Sequence, residues 1–415
     1  MWELIQSNKR KSVFLISGMA VTLILLGYLI GSAFYPGEGG PAGIFIAVII
    51  WTIMIIVSMA GGNSLLLSLS QAKEVTPDVH QQLFNVVEEM KIASNLPAVP
   101  KVYIINSEAM NAFATGMDPS NCAVAVTAGL LSKMNRDELQ GVVAHEISHI
   151  MNRDTKFIAY AAVMLGTIVI ISEIFLRGMF RSNLTRRYGS KSKGGGQAQI
   201  VILIIAIVFA ILAPIMARLL YYAISRRREY LADASAARIT RYPEGLASAL
   251  EKISECTAPL QSANKVTAAL FIANPLKKEG SKLSDLTSTH PPISERIRIL
   301  RSMMHGHGAN YRDYQKAFSA VKNSSAPIIP PSGLSDNNLV PLREPCPDTT
   351  GGLSPLDEKR KMGNIMMAVN NYSSLTCQCG LKLKIPPGFG TNKPEIKCPK
   401  CGTINKVSRS TQILP

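Results

Sequence analysis

Long apolar runs without charge constrain the fold of this 415-residue chain more than any other feature. From Val13 to about Phe34 no side chain is charged, and about 20 apolar residues in a helix cross a hydrocarbon core of about 30 Å. A second such run, from Ala42 to about Ala60, follows after a short loop. We therefore expect two transmembrane helices in an N-terminal membrane anchor, residues 1–70.

The residues around the first run indicate how it is oriented. Lys9, Arg10 and Lys11 precede it and resemble the start of a signal peptide, but the run is long and no small-residue cleavage site follows, which favours an uncleaved anchor. The loop between the two runs contains Glu38 and no lysine or arginine. By the positive-inside rule the chain after Ala60 is cytoplasmic. We expect a multi-pass protein of the cell inner (plasma) membrane whose soluble part faces the cytoplasm.

Two later runs, Phe157–Leu176 and Ile200–Ala223, are also long enough to span. The loop between them, from Arg177 to Gln197, carries six basic residues and no acidic one, a composition that the charge rule keeps on the cytoplasmic side. Either this hairpin inserts against the rule or it does not cross fully. The lengths favour crossing, so we expect a transmembrane hairpin at about 157–223 and about four spans in all.

Charge and cysteine content narrow the expected partners. The formal net charge is +16, with 47% hydrophobic and 17% charged residues. The basic residues are dispersed and concentrate beside the apolar runs, where they suit anionic lipid head groups, so we expect a lipid bilayer as partner and no nucleic acid. Seven cysteines, four of them in one pattern, are few for a disulfide framework and fit a reducing compartment.

The soluble part reads as α+β. A helix is expected from Gln71 to about Leu96, followed by short strands at Lys101–Ile105, Asn111–Thr115 and Cys122–Thr127 in a small antiparallel sheet. A further helix is expected from about Asn135 through Ile150. The fold class is accordingly a mainly α membrane protein with a cytoplasmic α+β body.

The sequence HEISH in that last helix carries the chemistry. His145 and His149 lie four residues apart, so both imidazoles share one helix face and can bind one Zn²⁺ at about 2.0–2.1 Å. Glu146 follows the first ligand and can accept a proton from water beside the metal. Five residues of this kind also arise by chance, but the apolar flanks of the motif suit a buried ligand helix.

A catalytic zinc usually has three protein ligands, so a third donor is needed. Glu229 is the best candidate, in the sequence SRRREYLAD. The alternative is a solvated glutamate paired with Arg226 or Arg228. Asp233, four residues further on, could hydrogen-bond a ligand imidazole or offset the charge of the arginines.

HEISH, a hydrophobic hairpin, SRRREYLAD and THPPISERI (Thr289–Ile297), in this order, resemble the HtpX-like membrane zinc metalloproteases, which are gluzincins related to the CAAX prenyl protease. The resemblance covers roughly Trp2 to Val321. It implies a zincin-like protease domain in which His145, His149 and Glu229 bind zinc and Glu146 is the general base.

The resemblance also implies two further features, and Arg296 in the same segment allows two interpretations. The resemblance implies that His290 approaches the active site and supports the oxyanion, whereas the residues alone suggest only a helix start before Pro291. Arg296 either ties this segment to the site or is a surface arginine. The residues Asn111, Ala112, Phe113 and Ala114 resemble the family's edge strand, which pairs with an extended substrate.

Four cysteines near the C-terminus form a second pattern: Cys377, Cys379, Cys398 and Cys401. Two cysteine knuckles at this spacing predict a zinc ribbon with a structural, closed Cys₄ site. The alternative, a redox C-x-x-C, lacks a thioredoxin-like βαβ context. The lysines of this module are not interleaved with aromatic residues, so a substrate-binding or regulatory appendage is preferred to a nucleic-acid contact.

Four units are therefore expected: the anchor at 1–70, a metalloprotease domain at 71–323 interrupted by the hairpin, a flexible linker at 324–363, and the zinc ribbon at 364–415. The predicted function is a membrane-embedded, zinc-dependent endopeptidase with one catalytic and one structural Zn²⁺, which cleaves cytoplasmic parts of misfolded or damaged membrane proteins in quality control under stress. The alternative is an inactive membrane-anchored zinc-binding scaffold that acts through its ribbon. The intact Glu146 argues against that alternative.

Overall fold

The computed structural model describes residues 2–35, 37–181, 196–262, 270–273, 290–305, 308–324, 327–335, 340–347, 354–387, 389 and 395–406. The greater part of the predicted loop between the third and fourth apolar runs lies outside the described residues, as do parts of the predicted linker and ribbon, and Thr289. The described part is mainly helical, with one four-stranded sheet and two small hairpins. The mainly helical architecture with a small sheet agrees with the expected fold class, whereas the four spans and the cytoplasmic side of the body stay predictions.

The N-terminal anchor is a pair of long helices, α1 (Trp2–Phe34) and α2 (Gly39–Leu69). Glycines allow the two backbones to approach closely, because a Cβ at Gly31 would collide with the carbonyl oxygen of Gly39. Among the described residues three helical stretches are long and apolar enough to cross a membrane: Ile16–Phe34, Gly39–Ile56 and Ile200–Ala217. The additional span expected at Phe157–Leu176 stays a prediction.

The soluble body begins with strand β1 (Ala72–Glu74) and helix α3 (Gln81–Ser94). The expected helix from Gln71 is wrong in its first ten residues. Pro77 disfavours helical geometry in the residue before it, and the chain enters α3 only at His80, whose Nδ1 accepts a hydrogen bond from the Leu83 N–H at 3.2 Å.

The sheet has the strand order β1-β2-β4-β3, with β2 at Lys101–Ile105, β3 at Ala112–Asp118 and β4 at Asn121–Thr127. It is mixed rather than antiparallel, because β2 and β4 pair in parallel. The reason is the composition of β4: every residue after Asn121 is buried, and such a strand is stable between two others rather than at an edge. β3 is consequently an edge strand.

Helices cover this sheet and surround the HEISH motif. α4 (Ala128–Lys133) leads into α5 (Arg136–Met151), which packs on the two helices α7 (Gly196–Thr240) and α8 (Pro243–Glu255). α6 (Asp154–Arg181) runs from the body beside α1, α2 and α7. The remaining body helices are α9 (Ile293–Met304), α10 (Tyr311–Lys322) and α11 (Pro331–Leu334).

The C-terminal part contacts the body more than a linker composition suggests. In the segment 340–347, Arg343 Nη2 lies 2.6 Å from Asp137 Oδ1 at the start of α5. Helix α12 (Pro355–Val369) crosses the predicted boundary between linker and ribbon, and it packs on α4. Beyond it lie the hairpins β5–β6 (Ser373–Thr376, Lys382–Ile385) and β7–β8 (Glu395–Lys397, Ile404–Lys406).

Candidate active site

Helix α5 holds the two histidines of HEISH rigidly. Its start is fixed by a capping box, in which Asn135 and Glu138 each accept a hydrogen bond from the other's backbone N–H. His145 and His149 are only 1% and 6% exposed. Their Nε2 atoms lie 3.2 Å apart. The four-residue spacing therefore brings both imidazoles to one point inside the body.

Glu229 on α7 completes a triangle of donors. Its Oε2 lies 3.6 Å from His145 Nε2, and its Oε1 lies 3.5 Å from His149 Nε2. Tetrahedral zinc with bonds of about 2.0–2.1 Å holds neighbouring ligand atoms about 3.3–3.4 Å apart, so this donor set fits the metal. Glu229 is 3% exposed, which does not fit the alternative of a solvated glutamate.

Carboxylates contact the Nδ1 atom of each imidazole, on the side of the ring away from Glu229. Asp233 Oδ1 lies 3.0 Å from His145 Nδ1, and Asp154 Oδ2 lies 3.3 Å from His149 Nδ1. Partners of this kind fix the imidazole tautomer that leaves Nε2 for a metal. Asp233 is the residue that the sequence singled out, and Asp154 is one that it missed.

The same carboxylates make the cluster favourable for positive charge. Burial opposes protonation of His149, but the hydrogen bonds that its ring can donate to Asp154 and Glu229 outweigh burial and raise its pKa to about 10. At His145 burial is likewise outweighed, by hydrogen bonds with Asp233 and Glu229, and the pKa is raised. Surroundings that favour a proton on an imidazole also favour a metal cation between imidazoles.

Glu146 is a buried carboxyl group next to this cluster. It is 1% exposed, and its Oε1 makes no hydrogen bond within the part of the chain that the structure describes. Burial raises the pKa of Glu146, while the charges of His145 and His149 and the backbone N–H of Ala114 act in the opposite direction. A buried carboxylate oxygen without a hydrogen-bond partner costs free energy of folding. Such an oxygen is available to bind a water molecule or a substrate.

The segment around THPP reaches the same cluster. His290 Nδ1 lies 2.8 Å from Glu229 Oε2, and His290 is 5% exposed. Arg296, on the first turn of α9, is fully buried and binds Asp233 through two nitrogens at 2.7 and 2.8 Å. Arg296 is therefore not a surface arginine, and it ties this segment to the site.

The edge strand lies beside Glu146. β3 begins at Ala112, directly after Asn111, and Ala112, Phe113 and Ala114 are buried. Its outer edge is held against the membrane helices, since Thr155 Oγ1 on α6 donates to the Gly116 carbonyl at 2.7 Å. The structure thus brings the predicted substrate strand, the predicted general base and the three possible metal donors together.

The four C-terminal cysteines form a separate cluster. The sulfur atoms of Cys377 and Cys401 lie 3.5 Å apart, and those of Cys379 and Cys398 lie 3.7 Å apart. Zn–S bonds of about 2.3 Å place thiolates about 3.8 Å apart in a tetrahedron, so the donor set fits structural zinc. Each knuckle turns through a glycine at positive φ, Gly380 at 80° and Gly402 at 77°, a conformation that glycine adopts without steric cost.

Comparisons with known proteins give the family of the chain. Residues 77–304 match the family model described as peptidase family M48. Three relatives, each named "Protease HtpX homolog", are similar to the chain. That of Dictyoglomus turgidum is 46% identical over 73% of this chain and 94% of its own length. Those of Caldanaerobacter subterraneus and Listeria monocytogenes are 40% identical over 73% of this chain, and over 98% and 100% of their own lengths. The crystal structure of S. mikatae Ste24p gives a TM-score of 0.38 at 18% identity, covering 72% of this chain and 67% of that one.

Proposed function

The chain belongs to peptidase family M48, among the HtpX-like proteases, and from this premise we propose that it is a zinc endopeptidase cutting cytoplasmic parts of misfolded or damaged membrane proteins. Membership makes it a metallopeptidase with polypeptide substrates. The apolar helices make it a membrane protein. The substrate class and the quality-control role are the proposal.

One observation carries the proposal: three buried donors at zinc-ligand distances lie next to a buried carboxyl group whose Oε1 is unpartnered among the described residues. We assign His145, His149 and Glu229 as ligands of the catalytic zinc. A purely structural site would be closed by a fourth protein ligand, and a scaffold would not require a base at Glu146. The alternative of an inactive scaffold is therefore not favoured.

The roles of the residues follow from their positions. When bound, zinc supplies Lewis acidity to the peptide carbonyl and to water. Glu146 takes a proton from the attacking water and later delivers it to the leaving amine. His290 donates a hydrogen bond to the developing oxyanion. Asp233 and Asp154 hold the imidazoles, and Asn111 to Ala114 align an extended substrate by main-chain hydrogen bonds.

The proposed substrate cleft, between the outer edge of β3 and Glu146, is in contact with the membrane helices, which supports a substrate that enters from the bilayer surface. Asn63, near the end of α2, contacts β3. The hydroxyl of Thr115 on β3 donates a hydrogen bond to Asn63 Oδ1 at 3.2 Å. Thr155 at the start of α6 binds the same strand. A polypeptide that leaves the bilayer beside these helices would meet β3 first.

The proposed orientation has four spans and a cytoplasmic active site, which puts the loop between α6 and α7 outside. A cysteine introduced in place of Ser190 should react with a membrane-impermeant maleimide in intact cells, whereas the parent chain, with its seven native cysteines, should not. If the cysteine is labelled only after the membrane is permeabilised, the loop is cytoplasmic and the proposed transmembrane hairpin is wrong.

The C-terminal cysteines are proposed to hold a structural zinc, and the ribbon to act as a substrate-binding or regulatory appendage. Two contacts support a fixed position beside the protease body. Lys73 Nζ donates to Asn370 Oδ1 at 2.6 Å, and Arg343 pairs with Asp137 at 2.6 Å. The nominal units 71–323, 324–363 and 364–415 remain proposed boundaries.

The proposed function is tested in proteoliposomes with a matched pair of substrates. One is a membrane protein with an unfolded segment on the same face as α5, and the other is that segment as a soluble peptide. We expect zinc-dependent cleavage of both, and a rate at least about ten-fold higher for the tethered form at equal concentration, because tethering raises effective concentration.

Each part of the proposal can fail separately in this assay. Cleavage that is unaffected by a chelator, or no cleavage of either substrate, would overturn the zinc endopeptidase. Equal rates for the two forms would overturn only the preference for membrane proteins and would leave the zinc endopeptidase standing.

A further inference from the structure

The outer edge of β3 is partly occupied by the chain itself. The segment Leu270–Ala273 lies against it, and the N–H of Ile272 donates to the Ala112 carbonyl at 2.9 Å. Two residues along the same edge, the backbone N–H of Ala114 faces Glu146. Residues i and i+2 of a strand point to the same side. The segment therefore lies along the edge of β3 that faces the proposed general base, Glu146 on α5.

Both main-chain groups of the next residue are also bound. Asn111 Nδ2 donates to the Ala273 carbonyl at 2.9 Å, and its Oδ1 accepts from the Ala273 N–H at 3.3 Å. A side-chain amide that bonds both polar groups of one backbone unit recognises an extended chain without regard to its side chain. Asn111 is 4% exposed, so the amide is held in place for this contact.

The carbonyl of Ile272 is linked to the cluster of proposed zinc ligands through Arg296. Arg296 Nη1 donates to it at 3.3 Å, and the same nitrogen lies 3.6 Å from Glu229 Oε2. A single guanidinium nitrogen thus joins the backbone of the segment to a proposed zinc ligand. Arg296 is held rigidly by Asp233, so the carbonyl is fixed relative to the cluster.

The adjacent side chains of Phe271 and Ile272 pack on opposite faces of the sheet, each in the same hydrophobic cluster as a neighbouring side chain of β3. Phe271 makes an edge-to-face contact with Phe113, with ring centroids 5.1 Å apart, and is fully buried. Ile272 is 1% exposed and packs in the same hydrophobic cluster as Ala112, whereas Phe271 packs in the cluster that holds Phe113. Adjacent side chains pointing to opposite faces are typical of an extended peptide on a sheet edge.

We propose that Leu270–Ala273 is an internal substrate mimic and that the cleft accepts extended segments with an aromatic residue followed by a branched aliphatic one. This inference rests on the proposed function of the site. The four main-chain contacts supply binding without sequence preference, and the two buried side chains supply the preference. Such pairs are buried in folded proteins and exposed when folding fails. A substrate must displace the segment, so the segment also limits access to the cleft.

The test measures binding rather than turnover, so it is independent of catalysis. A dye-labelled peptide with the sequence of residues 268–275 is titrated into the full-length, zinc-loaded chain carrying Glu146→Gln. Adding Phe271→Ala and Ile272→Ala weakens the internal competitor and leaves β3 and Asn111 unchanged. We expect the peptide to bind at least about ten-fold more tightly to this variant, because a larger fraction of the cleft is open.

Two further variants control for packing. Leu260→Ala removes a buried side chain from the same hydrophobic cluster as Phe271 and should leave peptide affinity unchanged. Phe271→Leu retains most of the volume, which buried positions tolerate, and should tighten binding by about three-fold. If the double alanine variant does not fold, the Phe271→Leu variant can be measured in its place.

The inference is overturned if the folded Phe271 variants bind the peptide no more tightly than their parent. It is also overturned if a control peptide with aspartate in place of phenylalanine and isoleucine binds equally well. A loss of peptide affinity would show that the segment is only a wall of the cleft. If instead the peptide binds as expected but no variant with Glu146 cleaves any substrate, the proposed function fails and the binding site stands.

Discussion

Replacing Glu146 with glutamine is expected to lower kcat by about 10²- to 10⁴-fold while the zinc content stays the same, because a positioned general base contributes this factor. Glutamine has nearly the same shape as glutamate and can fill the buried position, but it cannot accept the proton of the attacking water. Glu146 is not one of the three donors that lie at ligand distance. Its loss should therefore leave zinc binding intact.

Glu138→Gln is a matched control for this variant. Glu138 is a buried carboxylate on the same helix, 3% exposed, but it belongs to the helix cap and binds Lys252 at 2.7 Å. Its replacement should lower the melting temperature and leave kcat nearly unchanged. Zinc analysis, thermal unfolding and peptide hydrolysis on the three chains separate the two effects. If Glu146→Gln hydrolyses the peptide as fast as the parent does, Glu146 is not the base.

Local spacing was sufficient to predict the two histidines, because residues four apart on a helix share a face whatever the rest of the fold does. Glu229 was harder to predict, because its contact with the histidines depends on how α7 packs against α5, and Glu229 lies at least 80 residues further along the chain. The sequence offered it only as a candidate. Packing buries Glu229 beside both histidines, which rules out the solvated position.

Asp154 was missed although it lies only five residues after His149. The chain between them leaves α5 through Asn152 and turns at Arg153, which has φ of 58°. This left-handed residue brings the start of α6 back to the imidazole. Few non-glycine residues adopt this conformation, and no periodicity predicts it. A carboxylate just after a helix with a predicted zinc-binding motif was the available signal.

Contacts made by single residues or short segments were also not predicted from the sequence. The predicted linker is rich in proline, serine and glycine, which indicates that it lacks a core but does not exclude polar contacts such as that of Arg343. The segment Leu270–Ala273 is too short for a periodic signal. Its importance appears only once β3 is known to be an edge, and that in turn depends on the parallel pairing of β2 with β4.

Glu229→Gln is expected to remove the catalytic zinc and with it all measurable proteolysis. The carboxylate lies 3.6 and 3.5 Å from the two histidine nitrogens, closing the ligand triangle, and a neutral amide is a much weaker donor to zinc. The charge also balances that of Arg296, and Glu229 is in contact with His290. Zinc content measured by mass spectrometry should fall from about two ions per chain to about one.

Cys401→Ser is the matched variant, because it should also lower the zinc content from about two ions per chain to about one but at the other cluster. Cys401 lies 3.5 Å from Cys377 in the ribbon, and it takes no part in the HEISH cluster. Peptide hydrolysis should then be retained in Cys401→Ser and absent in Glu229→Gln. If Glu229→Gln keeps both zinc ions, the third ligand is another residue. If Cys401→Ser keeps both, the cysteine cluster does not need all four thiolates to hold its metal, because three donors would then suffice.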